Sequence, residues 1–162
     1  MTKFSHHNPI IKLINDKEIK SMVEIGVWRG WLAENILLEC PRLERYIGID
    51  PWIPYGQKVA EDWDKIAKEV TESITADDRA AIIRKTSSEA SLDFEKKSVE
   101  LVFIDGDHSH AAVSNDTELW TPIASRVICG HDWSGKWSVK KVVEKAFDNV
   151  TSIGGNVWVV EL

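Results

Sequence analysis

The residue types able to do chemistry gather in two short stretches. Asp105, Asp107, His108 and His110 stand together in FIDGDHSH, and His131 with Asp132 stands in GHDW. Carboxylates offer hard oxygen ligands and imidazole a borderline nitrogen, so this set could hold Mg²⁺, Mn²⁺ or a transition metal. Imidazole also titrates near neutrality, so His108 or His131 could instead take a proton from an acceptor hydroxyl. Any one histidine would equally serve as a helix cap or a backbone partner. Six such residues in two stretches argue for a site.

Three further stretches could bind a ligand. Glu24-Ile25-Gly26-Val27-Trp28-Arg29-Gly30 has glycines where a strand turns into a helix. Gly26 permits the tight turn, and Gly30 permits close approach at the helix start. The spacing is Gly-x-x-x-Gly, which differs from the three-glycine pyrophosphate fingerprint. Gly48-Ile49-Asp50 ends the next strand in a carboxylate that could accept from both hydroxyls of a ribose. A turn cap beside Pro51 is the plainer use of Asp50. Trp52 could cover an adenosine or pack beneath the following helix. Thr86-Ser87-Ser88-Glu89 supplies hydroxyls after a third strand.

Alternating elements must position these stretches. Met22–Ile25, Tyr46–Ile49, Ala81–Ile83, Leu101–Ile104 and Arg126–Cys129 read as five short strands, apolar on both faces. Between them, Leu32, Ile36, Leu37 and Cys40 mark one helix face ended by Pro41. Val139, Val142, Val143, Ala146 and Phe147 mark another. A longer charged helix is expected over Gln57–Ile74, and Asn115–Trp120 falls in one closed by Pro122. Val150–Ile153, Gly154-Gly155 and Val157–Val160 read as a closing hairpin. The fold class expected is α/β: a Rossmann-like parallel sheet with helices on both faces and a C-terminal antiparallel hairpin. Ligands of such sheets bind beyond the carboxyl ends of the strands, where all five stretches lie. Strands four and five are adjacent in this order, so Asp105 and Asp132 should approach, with His108 or His131 aimed into the same cleft.

Composition bounds the rest. At 162 residues the chain is expected to form one domain over 1–162, with 1–20 as an N-terminal extension. A net charge of −6 argues against broad binding to nucleic acid or anionic membrane. No run reaches the roughly 18 apolar residues of a spanning helix, and the start lacks a signal-peptide pattern, so a cytoplasmic location is expected. Cys40 and Cys129 read as small buried hydrophobes in a reducing compartment. His6-His7 reads as a solvated pair near a terminus. Lys136, Lys140, Lys141 and Lys145 form a basic stripe that is either a solvated face or a greeting for an anionic acceptor.

VEIGVWRG, GID and FIDGDH together resemble the class I S-adenosylmethionine-dependent methyltransferases. The likeness is greatest to a small group whose fourth strand ends in a FIDGDHSY-like motif and whose fifth ends in GHDY or DDY. It covers roughly residues 20–162. The resemblance implies that Glu24, Gly26 and Gly30 line the methionine part of the cofactor, that Asp50 binds ribose, and that Ser88 meets the adenine edge. It implies that Asp105 faces the methionine moiety or a metal. Some relatives hold a divalent cation such as Mg²⁺ through carboxylates after strands four and five, here Asp105 and Asp132. The chain departs from the pattern at His110 and Trp133, each in place of Tyr, and at His131 in place of Asp.

The activity so implied is O-methylation of a small hydroxylated metabolite or sugar, with in-line transfer aided by His108 or His131, a divalent metal, or both. The competing readings are a metal-dependent hydrolase using the Asp/His cluster and a non-catalytic nucleotide-binding module. Only some 20 residues precede strand one. The acceptor side is therefore open, completed by a second subunit in a homo-oligomer, or fitted to a large acceptor.

Overall fold

The computed structural model describes residues 4–54, 62–134 and 138–162. Its elements run α1 (His7–Asp16), β1 (Ser21–Ile25), α2 (Trp31–Glu39), β2 (Arg45–Ile49), α3 (Trp63–Ile74), β3 (Ala80–Ile83) and α4 (Ser87–Ser91). They continue β4 (Val99–Ile104), α5 (His110–Trp120), β5 (Ala124–Gly130), α6 (Val139–Ala146), β6 (Thr151–Gly154) and β7 (Val157–Glu161). The five expected strands and the hairpin are all present. Gln57 and Lys136 lie outside the described residues.

The strands form one sheet in the order β3-β2-β1-β4-β5-β7-β6. β1 to β5 pair in parallel, and β7 enters antiparallel between β5 and β6. Alternation along each strand divides the core into two layers. Met22, Leu101 and Phe103 face α1, α2 and α3, with Ile10, Ile14, Ile36 and Val70 packed against them. Val23, Val102 and Ile104 face α4, α5 and α6, with Val113, Trp120 and Val143. Both faces are covered, which is why these strands are apolar throughout. Cys40 and Cys129 are buried free thiols, as expected.

Two helices depart from the sequence reading. Thr86 caps a short helix, α4, to which the sequence reading gave no element: its hydroxyl accepts from the Glu89 N–H while Glu89 accepts from the Thr86 N–H, a capping box. The N-terminal residues form α1 rather than a solvated tail. Ile10, Ile11, Leu13 and Ile14 lie on one face and are buried, and burying four such side chains outweighs the fraying expected of a terminus.

Candidate active site

Backbone hydrogen bonds run one residue past the strand ends. The Gly26 N–H donates to the Ile49 carbonyl at 2.9 Å, Asp105 to Ile25 at 2.8 Å, and His131 to Ile104 at 3.0 Å. The loops after β1, β2, β4 and β5 therefore leave the sheet side by side. β1 and β4 are neighbours here, so the switch of strand order opens between Gly26 and Asp105. Gly26 has φ +91°, and a Cβ there would stand 2.3 Å from the Asp105 carbonyl oxygen. The glycine is required because two loops cross in contact, a different reason from a ligand's approach.

On one side of this crossing lies a cavity of about 360 Å³. Its apolar wall includes Ile25, Ile49, Ile53 and Ala112, and its polar groups include Asp50, Ser88, Asn115 and Asp116. One Asp50 oxygen accepts the Trp28 N–H at 2.8 Å and the other accepts the Trp52 N–H at 2.7 Å. Asn115 donates to the Ser88 hydroxyl at 2.9 Å. Trp52 is 1% exposed, and its indole N–H donates to the Trp28 carbonyl at 2.8 Å. It lies in the core, so of its two roles the structure realises packing; Trp28 and Ile53 stand on the cavity wall instead. Gly30 heads α2 with its Cα facing Val70 and Ile74 of α3, and it lines neither cavity described here.

On the other side lies a cavity of about 280 Å³, sharing Gly26, Trp28, Asp105 and Gly106 with the first. Glu24, His108, His131 and Asp132 line it. His108 Nε2 is 2.6 Å from Asp132 Oδ2 and 3.4 Å from Asp105 Oδ1, and His131 Nδ1 is 3.4 Å from Asp105 Oδ1. Asp132 holds φ +57°, a conformation uncommon for a non-glycine residue, found here beside the cluster. The expected convergence of β4 and β5 side chains is thus present. Asp107 and His110 leave the cluster: Asp107 accepts from the Ser109 N–H at 2.9 Å, and His110 begins α5 and lines a separate groove.

The solvated reading of His6 and His7 is overturned. His6 is 8% exposed and its Nε2 lies 3.7 Å from Asp105 Oδ2, while its ring sits 4.1 Å from that of His131. His7 is buried, with its Nδ1 accepting from Asn35 at 3.3 Å. The signal that could have found them is the apolar spacing of Ile10, Ile11, Leu13 and Ile14, which ties this segment to the core. Asn115 and Asp116 were also missed as cavity residues; nothing marks them until α5 is set against α4.

Burial and neighbours set the charges. Burial pushes the Glu24 carboxyl up to about 8, opposed by the Tyr46 hydroxyl that donates to it at 2.5 Å. Burial would raise Asp105 too, but His108 and His131 beside it prevail and hold it below the usual carboxylate range. The Asp105 contact raises His108, with burial opposing and Asp132 assisting. Burial would lower His131, and Asp105 outweighs it. Burial pushes His6 down to about 4. The junction is a neutral imidazole, two imidazoles drawn toward protonation, and two carboxylates.

Comparison with known proteins fits this geometry. A family profile described as "Methyltransferase domain" matches residues 23–133, more than half the chain. Comparison with curated proteins returns no match. Among solved structures, the O-methyltransferase NovP aligns with a TM-score of 0.70 at 14% identity, covering 96% of this chain and 77% of that one. A Corynebacterium glutamicum protein aligns at 0.66 and 13% identity over 99% of this chain and 82% of that one. Spermidine synthase from Thermotoga maritima aligns at 0.65 and 14% identity, over 98% and 60%. At such identities these likenesses concern the fold, which more than one kind of transfer shares. The family match carries the assignment: the chain belongs to the methyltransferase domain family and is an S-adenosylmethionine-dependent methyltransferase.

Proposed function

We propose that this enzyme methylates a hydroxyl of a small metabolite or sugar, with His108 as the base. The observation that carries this is the 2.6 Å contact of His108 with Asp132 at the crossing between the two cavities. The 360 Å³ cavity fits a nucleoside, with apolar walls for the base, Asp50 for the ribose hydroxyls and Ser88 with Asn115 for the adenine edge. Glu24 lines the adjoining 280 Å³ cavity, near the shared Gly26, where a methionine ammonium would find a carboxylate. S-adenosylmethionine, when bound, supplies a methyl group already activated on sulfur. The protein's task is therefore alignment and proton removal.

His108 is about one-third exposed at its side chain, so it can meet an acceptor while Asp132 and Asp105 stabilise its protonated form. In that role it would take the acceptor's hydroxyl proton as the methyl group is received in line by that oxygen. Asp105, His108 and Asp132 also offer ligand atoms within 4.8 Å of one another. That donor set suits a divalent cation, whose Lewis acidity would favour the alkoxide.

The test is turnover against a panel of hydroxylated acceptors. His108→Ala should lower kcat by roughly 10²–10⁴-fold with cofactor affinity nearly intact, and His131→Ala should lower it less. Equal turnover in His108→Ala and the parent would remove His108 from the role. If Asp132→Asn suffers most and a chelator reproduces the loss, the metal rather than the imidazole activates the acceptor.

A further inference from the structure

A second donor set meets at the same crossing, and it depends on the N-terminal segment. His6, Asp105 and His131 each offer one ligand atom within 4.8 Å of the others. Asp105 serves both sets: its Oδ2 lies 3.7 Å from His6 Nε2, while its Oδ1 lies 3.4 Å from His131 Nδ1 and from His108 Nε2. These N···O distances are longer than ordinary hydrogen bonds of about 2.7–3.2 Å. Two ligands placed about 2.0–2.1 Å from one tetrahedral ion stand about 3.4 Å apart; His131 is at that separation from Asp105, and His6 stands slightly further off at 3.7 Å. By contrast, His108 closes on Asp132 at 2.6 Å, where no ion is needed to hold the pair.

Each of the two rings has one working nitrogen. Among the described residues His6 Nδ1 and His131 Nε2 are buried without a hydrogen-bond partner, and the opposite nitrogens both face Asp105. The segment that delivers His6 is held in place. Ile10 and Ile14 are buried in α1, and the hairpin turn presses on the chain just before it. A Cβ on Gly155 would stand 2.3 Å from the Ser5 carbonyl oxygen. Placing His6 against Asp105 therefore uses both termini of the chain.

We infer that His6, Asp105 and His131 form a binding site for a divalent transition metal. Two imidazoles and one carboxylate suit Co²⁺, Ni²⁺, Fe²⁺ or Zn²⁺, whereas Mg²⁺ prefers an all-oxygen shell with several waters. This site deepens the proposed function and rests on it for its purpose; ion binding itself is measurable without turnover.

The test is calorimetric titration of chelator-stripped protein with Co²⁺ and with Mg²⁺. Co²⁺ should bind at least about 100-fold tighter than Mg²⁺. His6→Ala and His131→Ala should each weaken Co²⁺ at least about tenfold, while Asp132→Asn changes it less than about threefold. Asparagine tolerates the positive φ at that position. If His6→Ala does not fold, pulsed EPR of Cu²⁺ on the parent protein counts bound imidazoles. Two support the site, and one, the number that Asp105, His108 and Asp132 would give, overturns it. Preference for Mg²⁺, loss of Co²⁺ only in Asp132→Asn, or no ion binding at all would each overturn it as well. S-adenosylmethionine titrated into the same metal-free samples reads the methyltransferase site separately, so failure of the metal site leaves the base mechanism standing.

Discussion

Trp28 and Asp50 are joined by a 2.8 Å hydrogen bond from the Trp28 N–H to a carboxylate oxygen, while the other oxygen holds the Trp52 N–H. One side chain thus fixes the loops after β1 and β2 to each other at the edge of the nucleoside-sized cavity.

Asp50→Ala should therefore fail in two ways. Cofactor affinity should fall by roughly 1.5–3 kcal/mol, the range for a hydrogen bond to a charged group. Melting temperature should fall too, because two backbone N–H groups lose their acceptor. Calorimetry and thermal denaturation separate the two effects. A lower melting point with unchanged affinity would make Asp50 a loop clamp alone.

Glu24 should make stability depend on pH. Its carboxyl lies near 8 when folded against an ordinary 4.5, so the folded chain keeps a proton that the unfolded chain loses. Its contribution to stability is then greatest below 4.5, falls as pH rises toward 8 and is flat beyond, with a loss from this group of up to about 5 kcal/mol. Glu24→Gln, which still accepts from Tyr46, should flatten that slope in urea titrations between pH 5 and 8. The same slope in Glu24→Gln and the parent would show that Glu24 is ionised throughout.

Cofactor binding should release a proton near neutral pH. An ammonium arriving beside Glu24 favours the carboxylate, so the calorimetric enthalpy at pH 7 should vary with the ionisation enthalpy of the buffer. In Glu24→Gln this buffer dependence should shrink, and its persistence would assign the proton to another group.

Gly155→Ala should loosen the N-terminal segment without melting the sheet. The added methyl meets the Ser5 carbonyl at 2.3 Å, and φ +57° costs a further ~1 kcal/mol for any residue with a Cβ. Hydrogen exchange should rise at residues 4–7 and stay low in β1 and β4. Uniform protection across the chain would show that the turn accommodates the methyl by moving away.

Gly26→Ala should be far more damaging, because its Cβ would meet backbone at the end of the central strand pair β1–β4 rather than the N-terminal segment. The Asp105 carbonyl oxygen and carbon lie at 2.3 and 2.6 Å from that position, and neither rotates away. Loss of a cooperative melt, or a melting point lower by more than 10 °C, is expected from calorimetric scans; a shift under 2 °C would contradict the crossing.

Much of this was determined by local sequence. Apolar runs such as Leu101–Ile104, bounded by Asp105, fix both the strand and the point where polar chemistry begins. Because parallel βα units put every strand's carboxyl end on one edge, the motifs after them must share that edge. That sufficed to bring Asp105, His108, His131 and Asp132 together. Tertiary packing alone decided the remainder. Trp52 looks like a cavity residue by position, yet the Asp50 clamp turns it into the core, where its burial and its bond to Trp28 outweigh exposure. Asp107 sits between Asp105 and His108 but caps Ser109 instead, because α5 begins there. His6 stands far from Asp105 along the chain and carries no local mark of function. Only the packing of α1 on the sheet, with the Gly155 turn against Ser5, brings its ring to the site.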